Sequence, residues 1–541
     1  MSPKLALKFN NELFTLVFNR LESMIRAVRR GRKGPMGTGP ARLSSSSSTQ
    51  ISDSYDVLVC GGGVVGVAVV SNLLRLLGPG HENVKIGIVD ARGPPSLASC
   101  QKKKGYDLRV YALAPQSIQL LQDVGAWKYI EPRSQPYTNM QVWDHEGPGV
   151  VKFSASESGL EELGRMAEDS TIQAALYQTL EDKGFQVDRI FGSTVTSLKV
   201  RRGFAQEPAE LTISPLSKET GAEEAKHVTA RLVVGADGAM SPVRKLADVS
   251  SWGWNYGQEG LVCTVGTEAF HTTAWQRYLG TGPLALLPLW QQHKEDRGGH
   301  SSIVWSVPVS EAKRLKELSE EAFLEELNAA LAPGAHSDKW SVFEPHDGMM
   351  DSSKGLPLSL SSTPLSALKK EIAALADSVM SASVLSSPPN APPLVTSLAG
   401  PRVSFPLQLQ QAQTYCASRV ALAGDAAHSI HPQAGQGLNL GLGDSRCLSE
   451  TVAAALAAGS DIGDIAVLRP YASKRYAENL AVMGAVDLIN TLFKPALVGG
   501  EGATKAKAFL RSAGMLGIHA LPGLKSRVVR TAAKMGMKGV F

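Results

Sequence analysis

The hexapeptide Gly61-Gly62-Gly63-Val64-Val65-Gly66 follows a short apolar run, Tyr55–Cys60 (YDVLVC), and opens a helical pattern over residues 64–77. A second apolar run, 84–89 (VKIGIV), ends on Asp90. Strand, glycine turn, helix and strand make a βαβ unit, and G-x-G-x-x-G at its first turn constrains the chain to a Rossmann-type α/β fold. Gly61 allows the tight turn, Gly63 lets a pyrophosphate approach the backbone, and Gly66 permits close packing of helix on sheet. The helix N-terminus then faces the phosphates. Asp90 is placed to accept from a ribose 2′-hydroxyl, so the adenosine of FAD or NAD fits better than that of NADP. Without its flanking strands the same hexapeptide would be an ordinary glycine-rich turn.

Two later stretches repeat the strand-then-turn pattern. Residues 229–236 (TARLVVGA) run into Asp237-Gly238-Ala239-Met240-Ser241-Pro242-Val243-Arg244. The strand VALA runs into Gly424-Asp425, followed by Pro432 and by Gly435-Gln436-Gly437-Leu438-Asn439. Each alone reads as a turn. Small residues in such number after an apolar strand suit backbone that approaches something large and anionic.

Length and charge bound the rest. A chain of 541 residues suggests two or three domains, and 43% hydrophobic residues supply a sizeable core. Residues 1–50 hold nine Lys/Arg against two Glu, so the remaining chain is close to neutral. No basic patch with interleaved aromatics appears in the body, which argues against nucleic acid. Five scattered cysteines form no CxxC pair, which argues against a disulfide framework or a metal site and suits a reducing compartment. The first fifty residues are Arg-rich, Ser-rich and acid-poor, with apolar positions at helical spacing. They read as an organelle transit peptide, or else as a disordered basic tail, and composition does not separate mitochondrion from plastid.

Along the chain, residues 112–127 and 168–183 look helical. From 251 to about 345, alternating aromatic-rich runs suggest an antiparallel sheet inserted into the nucleotide-binding frame. Residues 354–401, rich in Ser, Pro, Leu and Ala, read as a low-complexity insertion with one helix near 364–382. After Asp444 the chain is mostly helical. The division expected is 51–250 and 402–460 for the nucleotide-binding domain, 251–353 for the sheet, and 461–541 for a helical C-terminal region.

The three motifs together, in this order, resemble the flavoprotein aromatic hydroxylases, the single-component FAD monooxygenases. Arg109 in LRVYALAPQSIQLLQDVGAW, Asn139–Asp144, Trp254-Asn255-Tyr256, Ala274–Arg277, Gly282–Leu289 and Phe405-Pro406-Leu407 resemble one branch of them. That branch comprises the eukaryotic mitochondrial ubiquinone biosynthesis monooxygenases that hydroxylate ring carbon C5. The resemblance spans about 55–495. It implies a group A, p-hydroxybenzoate hydroxylase-like fold: a Rossmann-type FAD-binding domain with an inserted antiparallel-sheet substrate domain and a helical C-terminus. It also implies that Asp425 binds the FAD ribitol and that the helix opening at Gln436–Asn439 faces the flavin pyrimidine edge. Asp237 and Gly238 would touch the pyrophosphate, and Arg109 would contact FAD. Gly424, Pro432 and Gly435 shape that cradle, and no metal is required.

The activity implied is hydroxylation of a polyprenyl-4-hydroxybenzoate at C5 by O2 through a flavin C4a-hydroperoxide. The flavin does the chemistry and no dedicated catalytic side chain is needed. His428 and His431 then read as structural polar contacts rather than acid–base groups. Gly282–Leu289 and Trp305 either wall a dry substrate pocket or are plain sheet core. With one GxGxxG there is no second Rossmann domain for NADPH. Electrons come from docked NAD(P)H or, as the branch implies, through ferredoxin and ferredoxin reductase. The tail 505–541 has eight Lys/Arg and no acid. It is either an amphipathic membrane-surface helix or a helix packed on the body. The branch implies a peripheral place on the matrix side of the mitochondrial inner membrane, within a ubiquinone biosynthesis complex. Other readings are a related hydroxylase or epoxidase on another lipid, and a non-catalytic flavin-fold scaffold.

Overall fold

The computed structural model describes residues 53–145, 149–201, 207–216, 224–291, 298–333 and 390–493, together with 511, 512, 514, 515, 518, 525, 526, 528 and 529 of the tail. Residues 1–52, most of the low-complexity insertion and the helix expected at 364–382 lie outside them.

The nucleotide-binding frame is a sheet whose strands run in the order Cys416–Ala417, Val420–Leu422, Lys226–Gly235, Asp53–Cys60, Ile86–Asp90 and Asp188–Phe191. The last five are mutually parallel. Their sequences are near-continuous apolar runs because helices cover both faces of a parallel sheet; Val57, Leu58, Val59, Leu232, Val233 and Val234 are all buried. Cys60 lies level with Val89 and with Gly235, and Gly235 with Leu422. The turns that follow therefore emerge together at the carboxyl edge. Asp53–Cys60 has its next strand in sequence on one side and a much later one on the other. That is the switch point where open α/β sheets bind their ligands.

A second, nine-stranded sheet runs His428–Ser429, Val403–Ala412, Ser251–Thr267, Gly299–Pro308, Gly282–Pro288, Thr273–Leu279, Asn139–Asp144 and Val150–Ser154, with Val395–Leu398 beside Ser251–Thr267. Strand alternation divides its faces. Leu261, Cys263, Trp275, Leu284, Leu286, Ile303 and Trp305 pack under Leu315, Phe323, Leu327 and Leu331 of the helices Val309–Glu317 and Glu320–Leu331. Trp305 is thus core beneath helices. Two strands come from inside the 51–250 span, and Asn139–Asp144 pairs with Thr273–Leu279 in parallel. The sheet is therefore mixed, not purely antiparallel. A small third sheet joins Val110–Leu113, Gly164–Glu168 and Ser134–Tyr137.

The helix expected over 112–127 is shorter than its pattern. Val110–Leu113 is a strand, and helix begins at Pro115. The proline ring holds Ala114 extended (φ −74°, ψ 155°) and takes the first helical position, where a missing N–H is harmless. Gly125, at φ 92°, ends the helix with a left-handed cap.

At the C-terminus, helices Gly437–Ala457 and Ile465–Phe493 pack on the frame. The first starts seven residues before Asp444. Of the described tail cations, two face the body: Arg511 Nε donates to Asp144 Oδ2 at 3.0 Å, and Lys525 pairs with Glu157. Phe493 stacks on Tyr278 at 3.7 Å between centroids. Asp144 and Arg511 are each only 2% exposed along their side chains. Asp144→Ala should therefore strand a buried guanidinium and cost about 3–5 kcal/mol. Urea unfolding checks this, and a loss below about 1 kcal/mol would show that the pair behaves as an exposed one.

Candidate cofactor-binding site

Three turns and a helix start meet at the carboxyl edge. Gly61, at φ 110°, donates its N–H to Val89 O at 2.8 Å. A Cβ there would stand 2.2 Å from Ala236 O, so the first two motifs touch and only glycine fits. A Cβ on Gly66 would lie 1.9 Å from Gly61 O, whereas one on Gly63 would meet nothing within 4 Å. The glycines thus divide as sequence spacing implies. Two are closed in by protein, and the middle one borders open space at the start of helix Val64–Leu77. Gly238, at φ 85°, borders open space as well.

Asp90 sits at the end of its strand and already accepts backbone donors, Gly62 N at 2.6 Å and Arg92 N at 2.7 Å. Each carboxylate oxygen keeps a second lone pair for a hydroxyl. The carbonyl of Gly62 is held in turn by Gln173 Nε2 at 2.7 Å and Tyr177 Oη at 3.2 Å. These two come from helix Asp169–Asp182, whose pattern carries no signal of that task.

Asp237 is committed to its own turn. Ser241 Oγ donates to Oδ1, and Val243 N donates to Oδ2 at 2.9 Å. Burial raises its carboxyl above the usual range in spite of those donors. Its side chain shapes the turn, and the open Gly238 is the part that can approach a ligand. Arg244, the last residue of this motif, reaches the third one: it donates to Ala239 O and Ala426 O, both at 2.7 Å.

Gly424 turns the chain at φ 60° over Val65. Asp425 follows and is exposed. Protein crowded near its carboxyl still pushes it upward, against the pull of His428 and Arg109. Arg109 is exposed and lies 3.9 Å from Asp169. Its guanidinium is favoured in the charged form first by Tyr111 and then by Asp169 and Asp425. Asp425 and Arg109 are therefore both exposed and close enough to interact.

Helix Gly437–Ala457 begins beyond Pro432–Ala434 and Gly435, at φ 58°. Its first bond is Leu440 N to Gln436 O, so the N–H groups of Gly437, Leu438 and Asn439 have no partner within the helix, as at any helix start. The Asn439 side chain does not face a ligand. It accepts from Ala114 N and Ser117 Oγ, and donates to Ala112 O and Gly435 O. With all four bonds inside the protein it fastens the helix to the strand Val110–Leu113. Leu438 is likewise buried.

Below the third turn lies a buried charge cluster. Asp444 accepts from Gly424 N at 3.0 Å, His428 Nε2 at 2.6 Å and Arg475 Nε at 2.7 Å. All three side chains are at most 1% exposed. Burial opposes the charge on Asp444, but His428 and Arg475 overcome it and hold the carboxyl well below its usual range. His428 is thereby a structural contact. His431 caps the Pro432–Ala434 turn by accepting from Gln433 N at 3.2 Å. Arg244 stood inside the second motif and Asp444 just beyond the third without being singled out, while Arg475 lies in a helix that offers no motif.

The arrangement suits a dinucleotide with a second aromatic nucleotide-like head. It offers unfilled space at Gly63 and Gly238, two helix starts with free N–H groups, a carboxylate at each end and one exposed arginine. Among the described residues no group of side chains could hold a metal ion. A family model described as an FAD binding domain matches residues 54–343 and 392–483. The zebrafish (Danio rerio) protein named ubiquinone biosynthesis monooxygenase COQ6, mitochondrial, is 32% identical, over 90% of this chain and 91% of its own. The human protein of the same name is 31% identical, over 95% and 99%. Among solved structures, p-nitrophenol 4-monooxygenase PnpA from Pseudomonas putida covers 90% of this chain and 100% of its own, at TM-score 0.60 and 16% identity. PqsL of Pseudomonas aeruginosa, in complex with 2-aminobenzoylacetate, does so over 86% and 100%, at TM-score 0.57 and 17% identity; at such identities these two show the shared fold. The chain belongs to the FAD-binding monooxygenase family and, within it, to the mitochondrial ubiquinone biosynthesis monooxygenases.

Proposed function

We propose that this FAD-dependent aromatic-ring monooxygenase of ubiquinone biosynthesis hydroxylates a polyprenyl-4-hydroxybenzoate at ring carbon C5. The observation that carries the reading is the convergence of the Gly61–Gly66, Asp237–Gly238 and Gly424–Asp425 turns along one edge of the parallel sheet. Gly63 and Gly238 leave room for the pyrophosphate, Asp90 takes the adenosine ribose, and Asp425 takes the ribitol. The N–H groups of Gly437–Asn439 would meet the flavin pyrimidine edge, where a helix start favours negative charge. Bound FAD, once reduced, supplies an oxygen atom from O2 to an electron-rich ring.

The protein's own part is orientation and dryness. The substrate's phenol oxygen activates the carbon ortho to it, so a side-chain base adds little. Leu287, Leu289 and Trp290 pack with Met166 and Tyr106 between the second sheet and the three-stranded one. They form an apolar wall suited to an aromatic ring and to exclusion of water. Trp305, under its helices, is not part of that wall.

The single GxGxxG supports electron supply from outside, through ferredoxin and ferredoxin reductase or by NAD(P)H at the flavin. The relatives' names place them in mitochondria. A polyprenylated ring is drawn from a bilayer, which supports a peripheral place on the matrix side of the inner membrane beside other enzymes of the pathway. Among the described residues no helix is long and apolar enough to cross a membrane.

The test is a cell lacking this protein. Mass spectrometry should find a prenylated phenol not hydroxylated at C5, which disappears when the protein is restored with O2 present. Purified protein should be yellow, and Asp425→Ala should lose its flavin. Accumulation of a precursor already bearing the C5 hydroxyl would overturn the assignment of the step.

A further inference from the structure

The Gly424–Asp425 turn is gripped from below by a helix that sequence gives no reason to connect with it. Tyr471 Oη donates to Leu422 O at 2.6 Å, at the end of the strand that leads into the turn. Asp444 accepts from the turn's own Gly424 N and from His428, three residues beyond Asp425. Arg475 then holds Asp444 through Nε, and its NH2 donates to Leu440 O at 3.1 Å in the first turn of helix Gly437–Ala457. Asn479 closes the cluster, donating to Asp444 Oδ1 at 3.1 Å and accepting from Arg475 at 2.7 Å. Tyr471, Arg475 and Asn479 are all on helix Ile465–Phe493. A Cβ on Gly443 would stand 2.8 Å from the Arg475 guanidinium, so the guanidinium is fitted closely against the Gly437–Ala457 helix.

We propose that Arg475 and Tyr471 are cofactor-positioning residues: from helix Ile465–Phe493, Arg475 through Asp444 and Tyr471 through Leu422 O, they fix Asp425 relative to the start of helix Gly437–Ala457. The inference rests on the reading of Asp425 as an FAD ligand. Its physical content is linkage. Two separate parts of the cradle, the turn and the helix start, share one buried guanidinium as their common anchor. A ligand that bridges both parts binds better when the anchor is set, and by reciprocity its binding tightens the anchoring helix. A fork-shaped guanidinium can serve Asp444 and Leu440 O together, whereas an ammonium cannot reproduce that geometry.

The experiment uses the full-length protein stripped of flavin and titrated with FAD. Flavin fluorescence gives the affinity, and hydrogen exchange follows peptides covering residues 465–493. In the wild type, FAD should slow exchange in that helix. Arg475→Lys should weaken FAD by about tenfold and abolish the FAD-dependent slowing. Tyr471→Phe removes one hydroxyl and should weaken FAD by about threefold, the loss expected for one hydrogen bond; it serves also if Arg475→Lys does not fold. Tyr471→Phe protein that binds FAD with wild-type affinity overturns the inference, as does wild-type protein whose 465–493 exchange ignores FAD. Asp425→Ala separates the two readings. If it loses FAD while the anchor variants do not, the anchor fails and the site stands. If it binds FAD normally, the site assignment fails and the anchor falls with it.

Discussion

Gly63→Ala is expected to leave the folded apoprotein almost untouched and to lose FAD, while Gly66→Ala, three residues on, loses both. The difference follows from what each new methyl meets. At Gly63 the backbone has φ −69°, which alanine adopts readily, and no protein atom lies within 4 Å of the added carbon. The apoprotein should stay within about 0.5 kcal/mol of wild type, as at an open surface position. The methyl instead fills space that a pyrophosphate would use, an overpacking of about 1–3 kcal/mol. That is about five- to 150-fold in Kd. At Gly66 the new carbon would stand 1.9 Å from Gly61 O, a backbone atom that no rotamer change can move. Helix Val64–Leu77 would have to lift from the sheet. It would pull against Ser445 and Ser449, whose hydroxyls donate to Val65 O and Val69 O. More than about 3 kcal/mol of stability should go with it. Thermal melts of both apoproteins, followed by FAD titration, check the pair. Gly63→Ala protein that binds FAD as wild type does would remove the pyrophosphate from that position.

The same contrast explains what was legible in the chain. A glycine motif is a statement about backbone, and backbone is local, so Gly61, Gly63, Gly66, Gly238, Gly424 and Gly435 could be placed before any fold was known. Their partners were another matter. Asp237 and Asn439 sit inside recognisable motifs, yet their side chains bind the protein itself. A motif marks where a residue is required and leaves open which neighbour requires it. Gln173, Tyr177, Tyr471 and Arg475 are each a single polar residue in an amphipathic helix. Nothing local distinguishes them from solvent-facing positions, because the contacts described above with other elements cross 31 to 115 residues of chain. The second sheet was visible as alternation from 251 onward. The two strands from 139–154 were not, since pairing register is set by three-dimensional neighbours. Trp305 illustrates the limit well. Its apolarity was evident, but the face it occupies depends on parity against Leu284 and Leu261 across the ladder.

Asp444→Asn is the second large effect expected, and pH gives it a distinct signature. The carboxylate sits between His428 and Arg475 with no measurable exposure. Replacing it with an amide keeps the shape but leaves the guanidinium only the partly exposed Glu478 as a counter-charge, at a cost of about 1.5–3 kcal/mol, the loss expected for a hydrogen bond to a charged group. The sign of the pH dependence follows from the depressed carboxyl, which titrates at about 2 in the folded chain. Its unfolded value is ordinary, about 3.9. Above the unfolded value both states are ionised there and the full stabilisation is present. As pH falls through the folded value the native state must take up a proton, and the stabilisation is lost. At about 1.4 kcal/mol per unit of displacement, the component is of order 2 kcal/mol. Subtracting the Asp444→Asn unfolding profile from that of wild type cancels the carboxylates common to both. The difference should shrink between about pH 4 and 2. A difference that grows towards acid would mean that Asp444 is protonated in the native protein, and the charge cluster beneath Gly424 would then not be the one described.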